Sequence, residues 1–350
     1  MKKELIFSSL LAVMIAVIGL SKFAFKKDIK ETKGVDVVPT MEDVIAKDSS
    51  WCPTFQLIFN DLKNDIVKQD VKFDKSNTFL DNLNKEEFQE SDISSDYYYK
   101  TYGVKSIELK NKIIKGIKDK FNQKSDILDK FDFTNSSPNN YFFYSMLYRE
   151  FKYPKKFNKL DNGKFNDKYD DIKYFGIKDK DEELAKQIKV LYYNNEDDFA
   201  IKLLTTSNDE VIINKNPKGN NFREIYNNIT SKSKGYKDKE FTIDSDYFKM
   251  PYLSLNVMKE YKELEGQPIK DSEGNLIEIG TALQTIKFTL DDVGGKIKSE
   301  AGMNVMKSSI EDNKSKRYFY VDKTFAIFLK ETSKDKPYFA ARVNDIRKFQ

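Results

Sequence analysis

Apolar positions recur at helical spacing in two places early in the chain. Phe55, Ile58, Phe59, Leu62 and Ile66 share one face of a helix of about four turns, and Ile107, Ile113, Ile114, Ile117 and Phe121 predict a second helix. Residues 135–140, with Ser136, Ser137 and Pro138 among asparagines, break the pattern. The period then shortens. "YFFYSMLY" (141–148) is apolar at odd and even positions and predicts a central strand buried on both faces. "IKVLYYNNEDDFAIKLLT" (188–205) reads as strand, turn and strand. "DEVIINK" follows, then a helix-like stretch from Phe222 to Ile229. From residue 241 strands dominate: "FTIDSDYFKMPYLSL", "TALQTIKFTL", "RYFYVDKTFAIFLKE" and "KPYFAARV", the last two forming a hairpin across Thr332 to Asp335. Helices early, strands late and no internal repeat predict a single α+β domain over 51–350.

Composition narrows the function more than the fold. The 350 residues carry 60 basic and 56 acidic side chains, interspersed along the chain. No concentrated basic stripe exists, so nucleic acid is not expected as a partner. The chain has no histidine, which removes the commonest general base and metal ligand. Its one cysteine, Cys52, excludes an internal disulfide and Cys-cluster metal sites, and beside Trp51 and Pro53 it reads as a small core residue. No phosphate loop, dinucleotide fingerprint or His-based triad is present. The pairs Asp197-Asp198 and Asp291-Asp292 lie where turns or strand ends carry charge, and Asp161 to Asp171 lacks EF-hand spacing. No cofactor, metal or enzymatic activity is expected.

Lys2 and Lys3 precede an apolar run from Leu5 to Leu20. Residues 1–25 therefore read as a secretory signal or an uncleaved signal anchor, and the polar stretch 26–50 as a linker. This places the protein outside the cytoplasm, released or tethered to the membrane by its N-terminus.

The order of elements resembles that of the serpins, over roughly residues 51–345. "TFQLIFNDL" resembles the first serpin helix, and "YFFYSMLYREFKYPKKF" the buried strand before the family's Trp-x-x-Pro-Phe region. "VLYYNNEDDFAIKLLT" is similar to the Leu-Pro-Tyr hairpin, and "FKMPYLSL" to the Val-Pro-Lys strand with Met250-Pro251 at its centre. "FTLDDVGGK" resembles the strand and hinge ending Glu-Glu-Gly-Thr, and "FYVDKTFAIFLKE…KPYFAARVND" the closing hairpin. The resemblance implies helices packed around a large mixed sheet, smaller sheets, and an exposed or inserted reactive-centre loop. It also implies inhibition of serine or cysteine proteases: a bait bond acylates the protease, and the cut loop inserts as a new strand.

On this resemblance Asp292, Val293, Gly294 and Gly295 are the hinge. Counting by twos beyond it gives Ile297, Ser299, Ala301, Met303 and Val305, small or apolar side chains that suit the core side of an inserting strand, between Lys296, Lys298, Glu300, Gly302 and Asn304. Family spacing puts the bait bond at Lys307-Ser308, which suits a trypsin-like protease, or Ser308-Ser309, which suits a small pocket. The chain departs from the family pattern: Gly295 replaces Thr or Ser, Ile297 is bulky, and Lys296 and Lys298 are long where alanines are usual. The same alternation equally fits a strand already resident in the sheet, which gives a non-inhibitory surface binding protein. A tethered surface protein of unrelated α+β fold is the third reading, and an extracellular hydrolase the last.

Overall fold

Val37, Val38 and Trp51 are almost without solvent contact in the computed structural model, which describes residues 30–75, 77–134, 140–296 and 316–350. Strand β1 (Asp36–Val37) runs parallel to β2 (Ser49–Trp51), so the stretch expected to be linker is structural from Asp36 onward. Its few apolar residues, spaced among polar ones, carry the burial. Helix α1 (Thr54–Asp61) widens into a π-helical segment, Leu62–Val67, that ends at left-handed Lys68. The predicted four-turn α-helix is thus half α and half π. The wider turn shifts the phase, so Val67 is fully buried and Ile66 only partly. Helix α2 (Thr78–Asn84) follows, capped by the Asn77 side chain accepting from the Leu80 amide.

Strand β3 (Tyr98–Val104) leads into α3 (Ile107–Phe121), capped by Ser106 and closed at left-handed Asn122. Leu109, Ile113, Ile117 and Phe121 make its buried stripe, whereas Ile107 and Ile114 are exposed. Strand β4 (Tyr141–Leu147) pairs antiparallel with β3 along its whole length and, among the described residues, with no other strand. The expectation of a central strand buried on both faces is corrected: only Phe142 and Tyr144 are buried, beneath α3, while Phe143 stacks on Tyr102 at 5.1 Å. Aromatic side chains covering one another look like core in a sequence.

After β5 (Phe151–Lys152) comes a hairpin the sequence reading missed, β6 (Asn158–Phe165) and β7 (Tyr169–Gly176), turning through left-handed Asn166 and Asp167. Lys, Asp and Asn fill most of β6, so no alternation announces it. Beyond α4 (Glu182–Lys186) the expected strands appear as β8 (Ile188–Asn195), β9 (Asp198–Leu204) and β10 (Asp209–Lys215), then α5 (Phe222–Gly235). "FTIDSDYFKMPYLSL" divides at Tyr252 into β11 (Asp246–Pro251) and β12 (Leu253–Glu260), which join different sheets. A short pair, β13 (Pro268–Lys270) and β14 (Leu276–Glu278), precedes β15 (Leu283–Leu290) and β16 (Gly294–Lys296). The chain ends with β17 (Arg317–Tyr320), β18 (Phe325–Glu331) and β19 (Pro337–Val343).

The fold class is α+β, as expected. A mixed seven-stranded sheet runs β1-β2-β19-β18-β10-β9-β8, with β10, β18 and β19 buried almost throughout. Burial on both faces explains the apolar runs in β18 and β19 and the Val211–Ile213 centre of β10. Two four-stranded sheets, β17-β11-β7-β6 and β12-β15-β16-β5, pack beside it. Among the described residues no helix is long and apolar enough to cross a membrane, and the run Leu5 to Leu20 lies outside them.

Candidate functional site

Strand β15 ends at Leu290 and the chain reverses within four residues. The Asp291 carboxylate accepts from the amides of Val293 at 2.8 Å and Gly294 at 3.0 Å, while its own amide donates to the Gly294 carbonyl at 2.8 Å. An Asx turn of this kind needs a side-chain carbonyl or carboxylate oxygen at its first position, which Asp291 supplies. The turn is pinned from the other side. Tyr153 and Phe157 donate their amides to the carbonyls of Val293 and Asp292 at 2.9 and 2.8 Å. The Asp292 side chain is buried and meets the Tyr252 hydroxyl at 2.8 Å and the Lys156 ammonium at 3.0 Å. Burial alone would raise the Asp292 carboxyl, but these two partners hold it below its ordinary value of 3.8. Its contribution to stability is present above that ordinary value and fades as pH falls through the lower folded one.

Beyond the turn, β16 is paired on both sides. Lys296 and Gly295 oppose Thr289 and Leu290 of β15, and Gly294 and Gly295 oppose Lys152 and Phe151 of β5. The Gly-Gly pair is therefore strand, and close approach explains it. A Cβ on Gly294 would lie 2.2 Å from the Phe151 carbonyl oxygen, and one on Gly295 2.3 Å from the Phe151 ring, itself in the core. The Thr or Ser that the family resemblance puts at 295 has no room here. Gly294→Ala is expected to lower stability by about 1–3 kcal/mol, since backbone on the far side cannot yield as a side chain can. A thermal midpoint within a degree of the parent would show that β16 is not held this tightly. Lys296, next along, is exposed and faces Glu150 at 3.7 Å.

The structure thus brings Asp292, Val293, Gly294 and Gly295 together as one turn. Ile297, Ser299, Ala301, Met303 and Val305, with the bait positions Lys307, Ser308 and Ser309, lie outside the described residues. The two walls beside the hinge are described. Among the described residues β15 pairs with β12 and, at its last two positions, with β16, and β4 pairs only with β3. Gln284, Ile286 and Phe288 of β15 face the core; Lys287 faces out.

Two buried arginines, Arg149 beside the hinge strand β5 and Arg317 in β17, escaped the sequence reading. Arg149, between β4 and β5, sets its Nε 2.6 and 2.7 Å from the two carboxylate oxygens of Asp209 and its plane 3.1 Å over the Tyr97 ring. Tyr338 and Ser207 donate to the same carboxylate at 2.8 and 2.7 Å. Arg317, the first residue of β17, donates to Asp246 through Nε and Nη2 at 2.9 and 2.6 Å, and to Tyr236, Asp238 and the Glu240 carbonyl. A signal did exist: only five of the 60 basic residues are arginine. At Arg149 and Arg317 the rarer residue marks places where a planar fork meets a buried carboxylate.

The remaining candidates are structural. Asp197 pairs with Lys215 and Lys323, and Asp198 with Lys232. Cys52 is buried, which pushes its thiol up to about 11 and makes it a poor nucleophile.

No family model matches the chain, and no curated protein matches it. Among solved structures it is similar to several serpins. SRPN18 from Anopheles gambiae is 9% identical with a TM-score of 0.47, over 85% of this chain and 92% of that one. Serpin48 from the insect Tenebrio molitor is 14% identical with a TM-score of 0.42, over 72% and 78%. Human thyroxine-binding globulin, complexed with thyroxine, is 10% identical with a TM-score of 0.42, over 77% and 86%. Likenesses at this level assign no role to any residue.

Proposed function

We propose that this chain is a serpin-type inhibitor of serine or cysteine proteases that works outside the cytoplasm by bait cleavage and strand insertion. The observation that carries the reading is β16 itself: Gly294–Lys296 form a strand held between β15 and β5, beside edges of β15 and β4 that have no partner among the described residues. Were the segment to insert in the same register, Ile297 would come opposite Phe288, Ser299 opposite Ile286 and Ala301 opposite Gln284, three β15 residues that face the core, which is what the small or apolar alternation of the sequence requires. On the other wall Ser299 would meet Leu147, Ala301 Ser145 and Met303 Phe143.

Cleavage near Lys307 to Ser309 frees the end of this segment while the target is held as an acyl-enzyme. Pairing the β15 and β4 edges that lack a partner among the described residues, and burying one apolar face, then drives insertion. The inhibitor itself supplies no acid or base. The N-terminal apolar run serves export or tethering.

Nicking the segment at Lys307 with limiting trypsin, the cut verified by mass, is expected to raise the thermal midpoint by about 10 °C or more, since each kcal/mol moves a domain this large by roughly 2–4 °C. A trypsin-like protease is expected to form an SDS-stable adduct at the same bond. No rise on nicking sinks the switch. It would favour the second reading, a non-inhibitory binding protein, for which the specific support is that β16 is already paired on both sides in the uncut chain.

A further inference from the structure

We infer that the ion pair between Asp126 and Lys287 is a strap across the opening beside β16, and that these two are positioning residues for the speed of strand insertion. The inference rests on the insertion reading above. Lys287 projects from the outward face of β15, two residues before Thr289, the position already paired with Lys296. Its ammonium lies 2.7 Å from the Asp126 carboxylate. Asp126 belongs to the opposite wall. It follows α3, and its neighbours Ile127 and Leu128 pack into the cluster that joins α3 to Phe142 and Tyr144 of β4. The Ser125 side chain bonds the Tyr144 hydroxyl. One end of the ion pair therefore moves with β15 and the other with β4 and α3.

Any strand that continues β16 must place one residue directly opposite Lys287. Cross-strand neighbours lie about 5 Å apart and point the same way, so that residue's side chain enters the space the ion pair crosses. The strap has to open before the strand passes. Counted on in the same register, that residue would be Lys298, a second lysine facing Lys287. Both members of the pair are more than two-fifths exposed, so the strap slows insertion by a modest factor that salt weakens.

The test follows the stabilisation of the full chain after nicking at Lys307, as a function of time. Lys287→Met is expected to insert about three- to fivefold faster than the parent, Lys287→Arg at the parental rate, and the parent itself faster at 0.5 M salt. Met and Arg variants that both match the parent, or that both speed insertion equally, overturn the strap while leaving the inhibitor reading standing. A parent that shows no stabilisation on nicking sinks both together.

Discussion

Arg149→Met is expected to destabilise the protein by about 3–5 kcal/mol, lowering the thermal midpoint by roughly 10 °C. Methionine fills much the same volume, so the loss comes from charge. Asp209 has no solvent exposure at its side chain, and without the guanidinium its carboxylate stays buried with only the Tyr338 and Ser207 hydroxyls for company. The damage should also travel to the hinge. Arg149 stands two residues before Phe151, whose backbone and ring receive Gly294 and Gly295. Amide exchange at Gly294–Lys296 should quicken along with the global loss. The double variant Arg149→Met with Asp209→Leu should regain most of the stability, because two apolar groups bury more cheaply than one unpaired charge. A single variant within 1 kcal/mol of the parent by urea titration would show that water reaches Asp209 and that the pair is not truly buried.

Arg317→Met is expected to be as severe, about 3–5 kcal/mol, with a more local signature. Burial by itself would lower the affinity of this guanidinium for its proton, but the Asp246 carboxylate more than reverses that. Removing the arginine strands a fully buried carboxylate and releases the carbonyls of Asp238 and Glu240. Strand β17 pairs with β11 over four residues only, so besides the buried Phe319 ring it relies on this side chain for its hold on the body. Arg317→Lys should recover less than half of the loss, since one ammonium cannot satisfy acceptors arranged around a planar fork. Full recovery by lysine would mean that charge alone anchors the strand. Urea midpoints for the parent and the two variants decide it.

Much of this architecture was legible because burial imposes simple periods. The pair β18–β19 and the run β8 to β10 were visible as apolar segments broken by turn residues, and they form the middle of the large sheet. The hinge was legible as a place, but the reason for its two glycines was not: they let β16 pass against Phe151 where a Cβ has no room. No local pattern could show this, because the reason lies in a residue more than a hundred positions away. Strand β4 was overestimated for the opposite cause: Tyr141 and Phe143 count as apolar in a window, yet only Phe142 and Tyr144 are buried. The β6–β7 hairpin was missed because a sheet face turned to water can be built from Lys, Asp and Asn with few apolar marks.

The clamp on Arg317 has a consequence for what a cut molecule is. The chain after the bait positions contributes β17 to one sheet, and β18 and β19 to the middle of the largest. Cleavage would therefore turn one chain into two that must stay together, since the smaller, carrying β17, β18 and β19, cannot leave without taking the core apart. Its dissociation constant is the folding equilibrium under another name.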